Sequence, residues 1–165
     1  MRLQRLHIQG FRNIDDLDLD LSGQNGLSVL IGNNGSGKSN ILEAVVAIFA
    51  NLYSKANRFK IDFKYDIEYL IDDHKVEIKD SGRQCYVNSI EVNAGQLKAY
   101  LPKNIIASYS GETTRLEDKF FTPFRKDYVR KRIATNPATH RMWFINKDMW
   151  NISLLSLFLH PFDDY

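Results

Sequence analysis

A single cysteine, Cys85, occurs in 165 residues. It excludes an internal disulfide and suits a reducing compartment. No stretch approaches the roughly 20 consecutive apolar residues that a membrane-spanning helix needs. The opening MRLQRLHIQGF also lacks the apolar core of a secretory signal. A cytoplasmic protein with no membrane partner is the expectation. An excess of one charge is missing too. The 22 Lys and Arg against 20 Asp and Glu leave +2, too near neutrality for bulk electrostatics to point to nucleic acid. His7, His74, His140 and His160 are scattered without metal-ligand spacing. There is no internal repeat and no low-complexity linker. What remains is the composition of one packed globular domain, 44% hydrophobic and 25% charged.

The hydrophobic period changes along the chain. Residues 3–8 predict a strand, with a turn from Gly10 to Asn13. Leu17, Leu19 and Leu21 alternate with Asp18 and Asp20, as in a strand with one wet face. Residues 22–26 are turn formers, and residues 27–31 are a short apolar run of the kind expected of a strand covered on both faces. From Lys38 to Tyr53 the period becomes helical, with Ile41, Leu42, Val45, Ile48, Phe49 and Leu52 on one face. From Ile61 it returns to two: Phe63, Tyr65, Ile67, Tyr69 and Ile71 form a strand that ends at a hairpin turn, Asp72-Asp73-His74. Val76 and Ile78 lie on the returning strand, Ser81-Gly82-Arg83 is a second turn, and residues 85–92 complete an antiparallel meander. Residues 105–109 read as another buried strand, residues 113–133 as one or two helices broken near Pro123, and Met142–Ile145 as a short strand. Residues 148–159 look helical, stopped by Pro161.

Between the apolar run and the amphipathic helix lies Gly32-Asn33-Asn34-Gly35-Ser36-Gly37-Lys38-Ser39, which matches G-x-x-x-x-G-K-[ST] at every fixed position. Each residue type has a reason. Glycine permits positive φ and lets backbone amides approach phosphate with no Cβ in the way. Successive N–H groups make an anion-binding nest, and the following helix points its positive end at the same place. Lys38 then reaches the β- and γ-phosphates as the catalytic cation, and the Ser39 hydroxyl ligates Mg²⁺. The cofactors this motif implies are ATP and Mg²⁺. The expected fold class is a mixed α/β (α+β) P-loop NTPase lobe with an antiparallel β meander.

The loop with its next residue, Gly32-x-Asn34-Gly35-Ser36-Gly37-Lys38-Ser39-Asn40, resembles the Walker A motif of ABC-type ATPases. Asparagine after the serine resembles the SMC, RecF-like and OLD-like branch, and so does the opening Leu6-His7-Ile8-Gln9-Gly10-Phe11-Arg12-Asn13. Within that branch Ile105-Ile106-Ala107-Ser108-Tyr109-Ser110-Gly111-Glu112 is similar to ATPases that accompany bacterial restriction and anti-phage systems. The resemblance implies that residues 32–40 bind nucleotide and that Arg12 and Asn13 touch it. It also implies a composite site, in which two heads sandwich ATP and each supplies a signature motif to the other. The implied partners are a second head in a homodimer, the C-terminal lobe of the same head, DNA, and a partner nuclease or effector.

Walker B, an apolar run ending in Asp-Glu, has no good match. Tyr69-Leu70-Ile71-Asp72-Asp73 suits a hairpin turn better, and Leu157-Phe158-Leu159-His160-Pro161-Phe162-Asp163-Asp164 is interrupted by proline. Tyr109-Ser110-Gly111-Glu112 resembles the signature core, but its position suits the Q-loop region. Ser110 or Glu112 there could approach the metal, or Glu112 could simply cap a helix. The expectation is an N-terminal lobe over residues 1–165, ending before the signature and Walker B. Of the basic residues Arg125, Lys126, Arg130, Lys131 and Arg132, a solvated helix face is favoured over a phosphate contact. Trp143, Phe144 and Trp150 are expected in the core, Cys85 as a small strand residue, and Gln96 in a loop without a role. A head lobe that binds ATP is the leading reading. A non-hydrolysing assembly module is the alternative, and a small P-loop kinase is disfavoured because an antiparallel meander follows the loop helix.

Overall fold

The structure is a computed structural model that describes residues 1–23, 26–54, 59–108, 114–132, 141–146, 149–151 and 155. The chain divides into two compact units, Met1–Lys103 and Asn104–Tyr165. In the first, six strands form one antiparallel sheet in the order β2-β1-β3-β4-β5-β6. They are β1 (Arg2–Phe11), β2 (Ile14–Asp20), β3 (Lys64–Ile71), β4 (His74–Lys79), β5 (Gln84–Val87) and β6 (Ile90–Glu91). The period-two pattern sets the register. Leu6 stands opposite Ile67, and Ile8 opposite Tyr65. Ile67 in turn faces Ile78, and Ile78 faces Cys85. All of these are buried, so the apolar members of four strands line one face. Arg5, Asp66, Glu68, Lys75 and Glu77 occupy the alternate positions. Arg5 pairs with Asp18 at 2.6 Å, and Lys75 with Glu77 at 2.7 Å and Glu68 at 3.0 Å.

The tight turns carry their own explanation. Asp72 and Asp73 both have positive φ, 46° and 63°, as do Asn88 and Ser89, 50° and 67°. Two-residue loops with both centres left-handed match the twist of the strands they join, and Asp and Asn tolerate that conformation. Tyr69-Leu70-Ile71-Asp72-Asp73 is therefore a strand end and a hairpin turn. Gln96 has a place as well: with Asn93 it forms a reciprocal capping box on the short helix α2 (Ala94–Leu97; the longer α1 precedes it).

Helix α1 spans Lys38–Tyr53. Its buried residues are Glu43, Ala44, Val46, Ala47, Ile48, Phe49 and Ala50, whereas Leu42 of the expected face is exposed. The stripe is shifted because alanines, weak in any hydrophobicity pattern, allow a close approach and carry the contact face. Phe49 then packs its ring 5.8 Å from that of Tyr69 on β3.

Residues 27–31 depart from expectation. They form no strand, and Leu27, Val29 and Ile31 are 74%, 69% and 92% exposed. A strand covered on both faces needs ladder partners. Here β1 is already paired on both edges, by β2 and β3, and among the described residues no strand pairs with 27–31.

In the second unit β7 (Ile105–Ser108) pairs in parallel with β8 (Met142–Ile145). Between them a π-helical turn, Glu117–Phe121, runs directly into α3 (Thr122–Arg132). Pro123 does not break the helix. It is the second residue of α3, and the wide turn before it accommodates the ring. The rings of Phe121 and Phe144 pack tilted at 50°, with centroids 5.3 Å apart. Residues 105–108 are not buried as expected, with Ile106 exposed on a two-stranded sheet. Trp143 and Trp150, expected in the core, are 44% and 48% exposed; among the described residues no layer covers the outer side of β8. Residues 109–113, with Ser110 and Glu112, lie outside the described residues, as does most of the helix expected over 148–159. Among the described residues no helix is long and apolar enough to cross a membrane.

Ile67, fully buried at the centre of the sheet, is expected to cost about 2–4 kcal/mol on replacement by alanine. Leu27→Ser is expected to change stability by less than about 0.5 kcal/mol. Urea unfolding of the two variants measures both, and a large loss for Leu27→Ser would mean that residues 27–31 are packed after all.

Candidate nucleotide site

Residues 32–37 lead into α1, and their shape follows from three glycines. Gly35 and Gly37 take left-handed φ of 85° and 92°, which L side chains rarely adopt. A Cβ on Gly32 would lie 2.9 Å from the Ser36 hydroxyl. Ser36 N–H donates to Asn33 O at 3.2 Å, closing the loop, and Ile41 N–H donates to Gly37 O at 2.9 Å, starting the helix. The Lys38 ammonium curls back over the loop, donating to Gly32 O at 2.6 Å and Asn33 O at 2.7 Å. Ser39 and the loop backbone are open to solvent, while Gly37 is buried.

The helix N-terminus tests whether the site fits an anion. Gly37 at the N-cap supplies no side-chain hydrogen bond, and the first turn of α1 holds no acidic residue. The first turn of a helix has N–H groups without intrahelical partners and a partial positive charge. Here neither a capping side chain nor a carboxylate answers them, which is the arrangement a phosphate completes. The residues present thus fit ATP: the backbone of residues 32–37 and the start of α1 would hold phosphates, with Lys38 as the cation. Ser39 offers one hydroxyl for Mg²⁺. That ion ordinarily takes few protein ligands and fills its shell with phosphate oxygens and water, so the site fits it as well.

The two-residue turn between β1 and β2 lies against this loop. The Arg12 guanidinium, on a residue with φ of 56°, pairs with Glu43 of α1 at 2.5 Å and sits 5.4 Å from the Phe11 ring centroid. Asn13 donates from Nδ2 to Gly35 O at 3.0 Å and accepts from Asn40 Nδ2 at 2.6 Å. The structure therefore gathers Gly32, Asn33, Asn34, Gly35, Ser36, Gly37, Lys38, Ser39, Asn40, Arg12 and Asn13 in one place. It adds Glu43, 2% exposed, which the motif reading missed. The signal was available: Glu43 is the one acid within an otherwise apolar run, residues 41–50.

A second concavity, about 690 Å³, is lined by Asn51, Ser54, Lys60, Arg83 and Lys98 among others. It adjoins the C-terminal end of α1, about 20 Å from Lys38 at 1.5 Å per helical residue, and so belongs to a different place. Arg125 and Lys126 are exposed on α3. Among the described residues there is no cluster of His, Cys, Asp and Glu that could hold a metal alone.

Sheet, glycine loop and helix are those of a P-loop NTPase lobe. Residues 1–150 match the AAA ATPase domain family, and the chain belongs to that family. Its sequence is also similar to the DNA replication and repair protein RecF. It is 43% identical to that of Crocosphaera subtropica over 58 residues, 35% of this chain and 15% of the relative. It is 58% identical to that of Vibrio campbellii over 45 residues, 27% of this chain and 12% of the relative. The matched stretches thus span less than a sixth of those relatives. One solved chain, from work on ATP-driven dimerization and DNA-stimulated activation of SMC ATPases, aligns with 79% of this chain and 98% of its own length, at 17% identity and a TM-score of 0.39. The family assignment and the RecF matches together bear out the resemblance to SMC and RecF-like ATPase heads.

The Arg12–Glu43 pair is expected to be energetically coupled. A double-mutant cycle with Arg12→Met and Glu43→Gln should give a coupling of about 1–3 kcal/mol in chemical denaturation. A coupling near zero would show that the pair does not hold turn to helix.

Proposed function

We propose that this chain is the ATP-binding lobe of an SMC/RecF-like ATPase head. The observation that carries the reading is the uncapped N-terminus of α1, preceded by a left-handed glycine loop and bearing Lys38. Loop amides and the helix end bind the phosphates. Lys38 leaves the carbonyls of Gly32 and Asn33 and places its charge on the β- and γ-phosphates, as the motif chemistry requires. Ser39 contributes its hydroxyl to Mg²⁺. ATP itself supplies the phosphoanhydride bond whose cleavage drives any motion.

The finer parts of the proposal rest on the resemblance. Residues 1–165 are one lobe of a head. A C-terminal lobe supplies signature and Walker B, and ATP binding drives two heads together in the cytoplasm. The RecF relatives are named for DNA replication and repair, which supports DNA as the object of the motor; a role in restriction or anti-phage defence with a partner nuclease extends this reading. A non-hydrolysing assembly module is the second reading, favoured by the turn at Asp72 and Asp73 where a Walker B would need a strand end leading to a catalytic acid. A kinase is disfavoured by the antiparallel sheet.

Calorimetric titration with Mg-ATP, with phosphate release assayed in parallel, tests the reading. Wild type is expected to bind, and Lys38→Ala to weaken binding at least about tenfold, roughly 1.4 kcal/mol. Binding lost in the variant, without turnover in either, fits a binding lobe. Turnover that depends on Lys38 would make the chain a complete ATPase, and no binding by wild type would remove the proposal.

A further inference from the structure

We infer that Asn13 is a positioning residue for the phosphate-binding loop, acting through a side-chain clasp on Gly35 and Asn40 rather than by contact with nucleotide. The inference rests on the proposed phosphate-binding role of that loop. Three observations converge on one amide. Its Nδ2 donates to Gly35 O at 3.0 Å, its Oδ1 accepts from Asn40 Nδ2 at 2.6 Å, and a Cβ on Gly37 would come within 3.3 Å of that same Oδ1. A primary amide offers donors and an acceptor on opposite sides of one rigid plane. Asn13 uses both, one on the crest of the loop and one on the first turn of α1. Gly37 has a second reason to be glycine, because a side chain there would press on the clasp as well as oppose its φ of 92°.

The anchorage behind the clasp is rigid. Asn13 is in a two-residue turn closed by the Phe11–Ile14 pair of the β1–β2 ladder, and its neighbour Arg12 is tied to Glu43. The loop is shaped from its other side by Lys38, whose ammonium holds the carbonyls of Gly32 and Asn33. An arriving phosphate takes that ammonium away. The outer clasp makes no use of Lys38, so it can keep the loop curved when the inner contact is lost. Preorganisation of this kind lowers the cost of ordering a site on binding.

The test is a cycle of Asn13→Ala, Asn40→Ala and the double variant in the full chain. Affinities for Mg-ATP and for inorganic triphosphate are measured by calorimetry, and loop amide exchange is followed without nucleotide. Each single change is expected to weaken Mg-ATP about tenfold and triphosphate equally, the double change to add little, and exchange at residues 35–39 to quicken. Asn13→Asp, which keeps the acceptor and loses the donor to Gly35, is expected to be weakened as well. Wild-type affinity in Asn40→Ala, strictly additive losses, or a loss for ATP without one for triphosphate would overturn the clasp and favour direct contact between Asn13 and nucleotide. If wild type binds neither ligand, the phosphate-binding reading fails. The exchange rates then decide the clasp on their own: unchanged exchange in Asn13→Ala overturns it.

Discussion

The ion pair between Arg12 and Glu43 joins the β1–β2 turn to α1, and the geometry of the loop depends on it. Glu43 sits in the face of α1 that is otherwise alanine, valine, isoleucine and phenylalanine. A carboxylate removed from water is costly unless a cation compensates it. Arg12 supplies that cation from a left-handed turn residue with its guanidinium over Phe11. The ion pairs on the opposite face of the sheet differ in kind. Arg5 and Asp18, for example, are each about half exposed, and pairs of that type contribute at most about 1 kcal/mol. Several such contacts could be lost with less effect than the single pair at Glu43.

With turn and helix fixed to each other, the loop between them has little freedom. It enters from an exposed stretch that no strand among the described residues pairs with, and it ends at the start of a helix whose far half is packed on the sheet. No side chain caps the N–H groups at that helix start, and on the proposed reading they are the donors that a phosphate takes. Alanine at 44, 47 and 50 makes this possible, since bulky residues there would hold the helix away from β1 and β3 and shift its first turn outward. Packing at one end of α1 thus decides where donors stand at the other.

Much of this was legible in the residues. The meander after residue 63 follows from period-two alternation, because a strand whose alternate residues are apolar has only one way to face a core; the insertion of β1 between β2 and β3, and the turn at Asn88-Ser89 that splits residues 85–92 into β5 and β6, did not show in that pattern. Asp72-Asp73 announced its turn, and the glycine loop announced itself by motif. What failed was whatever depends on a partner. Residues 27–31 have the composition of a central strand, yet composition cannot say whether a ladder partner is present, and here β1 has both edges filled. Trp143 has core chemistry but is 44% exposed, on a sheet that has two strands among the described residues. The α1 stripe was misplaced because alanine carries little hydrophobic signal while deciding how closely a helix can approach. At the site, the motif marked the glycine loop and the start of α1. It could not show that Arg12 turns to Glu43, which requires knowing that residue 43 is buried.

The same pair bears on the division between binding and hydrolysis. A general base must be within hydrogen-bond reach of the attacking water and able to accept its proton. Glu43 is the carboxylate that the structure brings to the turn beside the loop, and it is buried against a guanidinium. An acid held in that way is spent on structure, and moving it toward water would strand the arginine and reopen the turn. The loop from Gly32 to Ser39, by contrast, holds no carboxylate and no histidine: it offers backbone amides, Lys38 and hydroxyls. Such a set attracts phosphate and stabilises developing negative charge, but it removes no proton. On the proposed reading, then, this lobe supplies affinity and charge compensation. Among the described residues the loop itself holds no such acceptor, so on that reading the group that activates water is brought to the loop from elsewhere, and catalysis is conditional on its arrival.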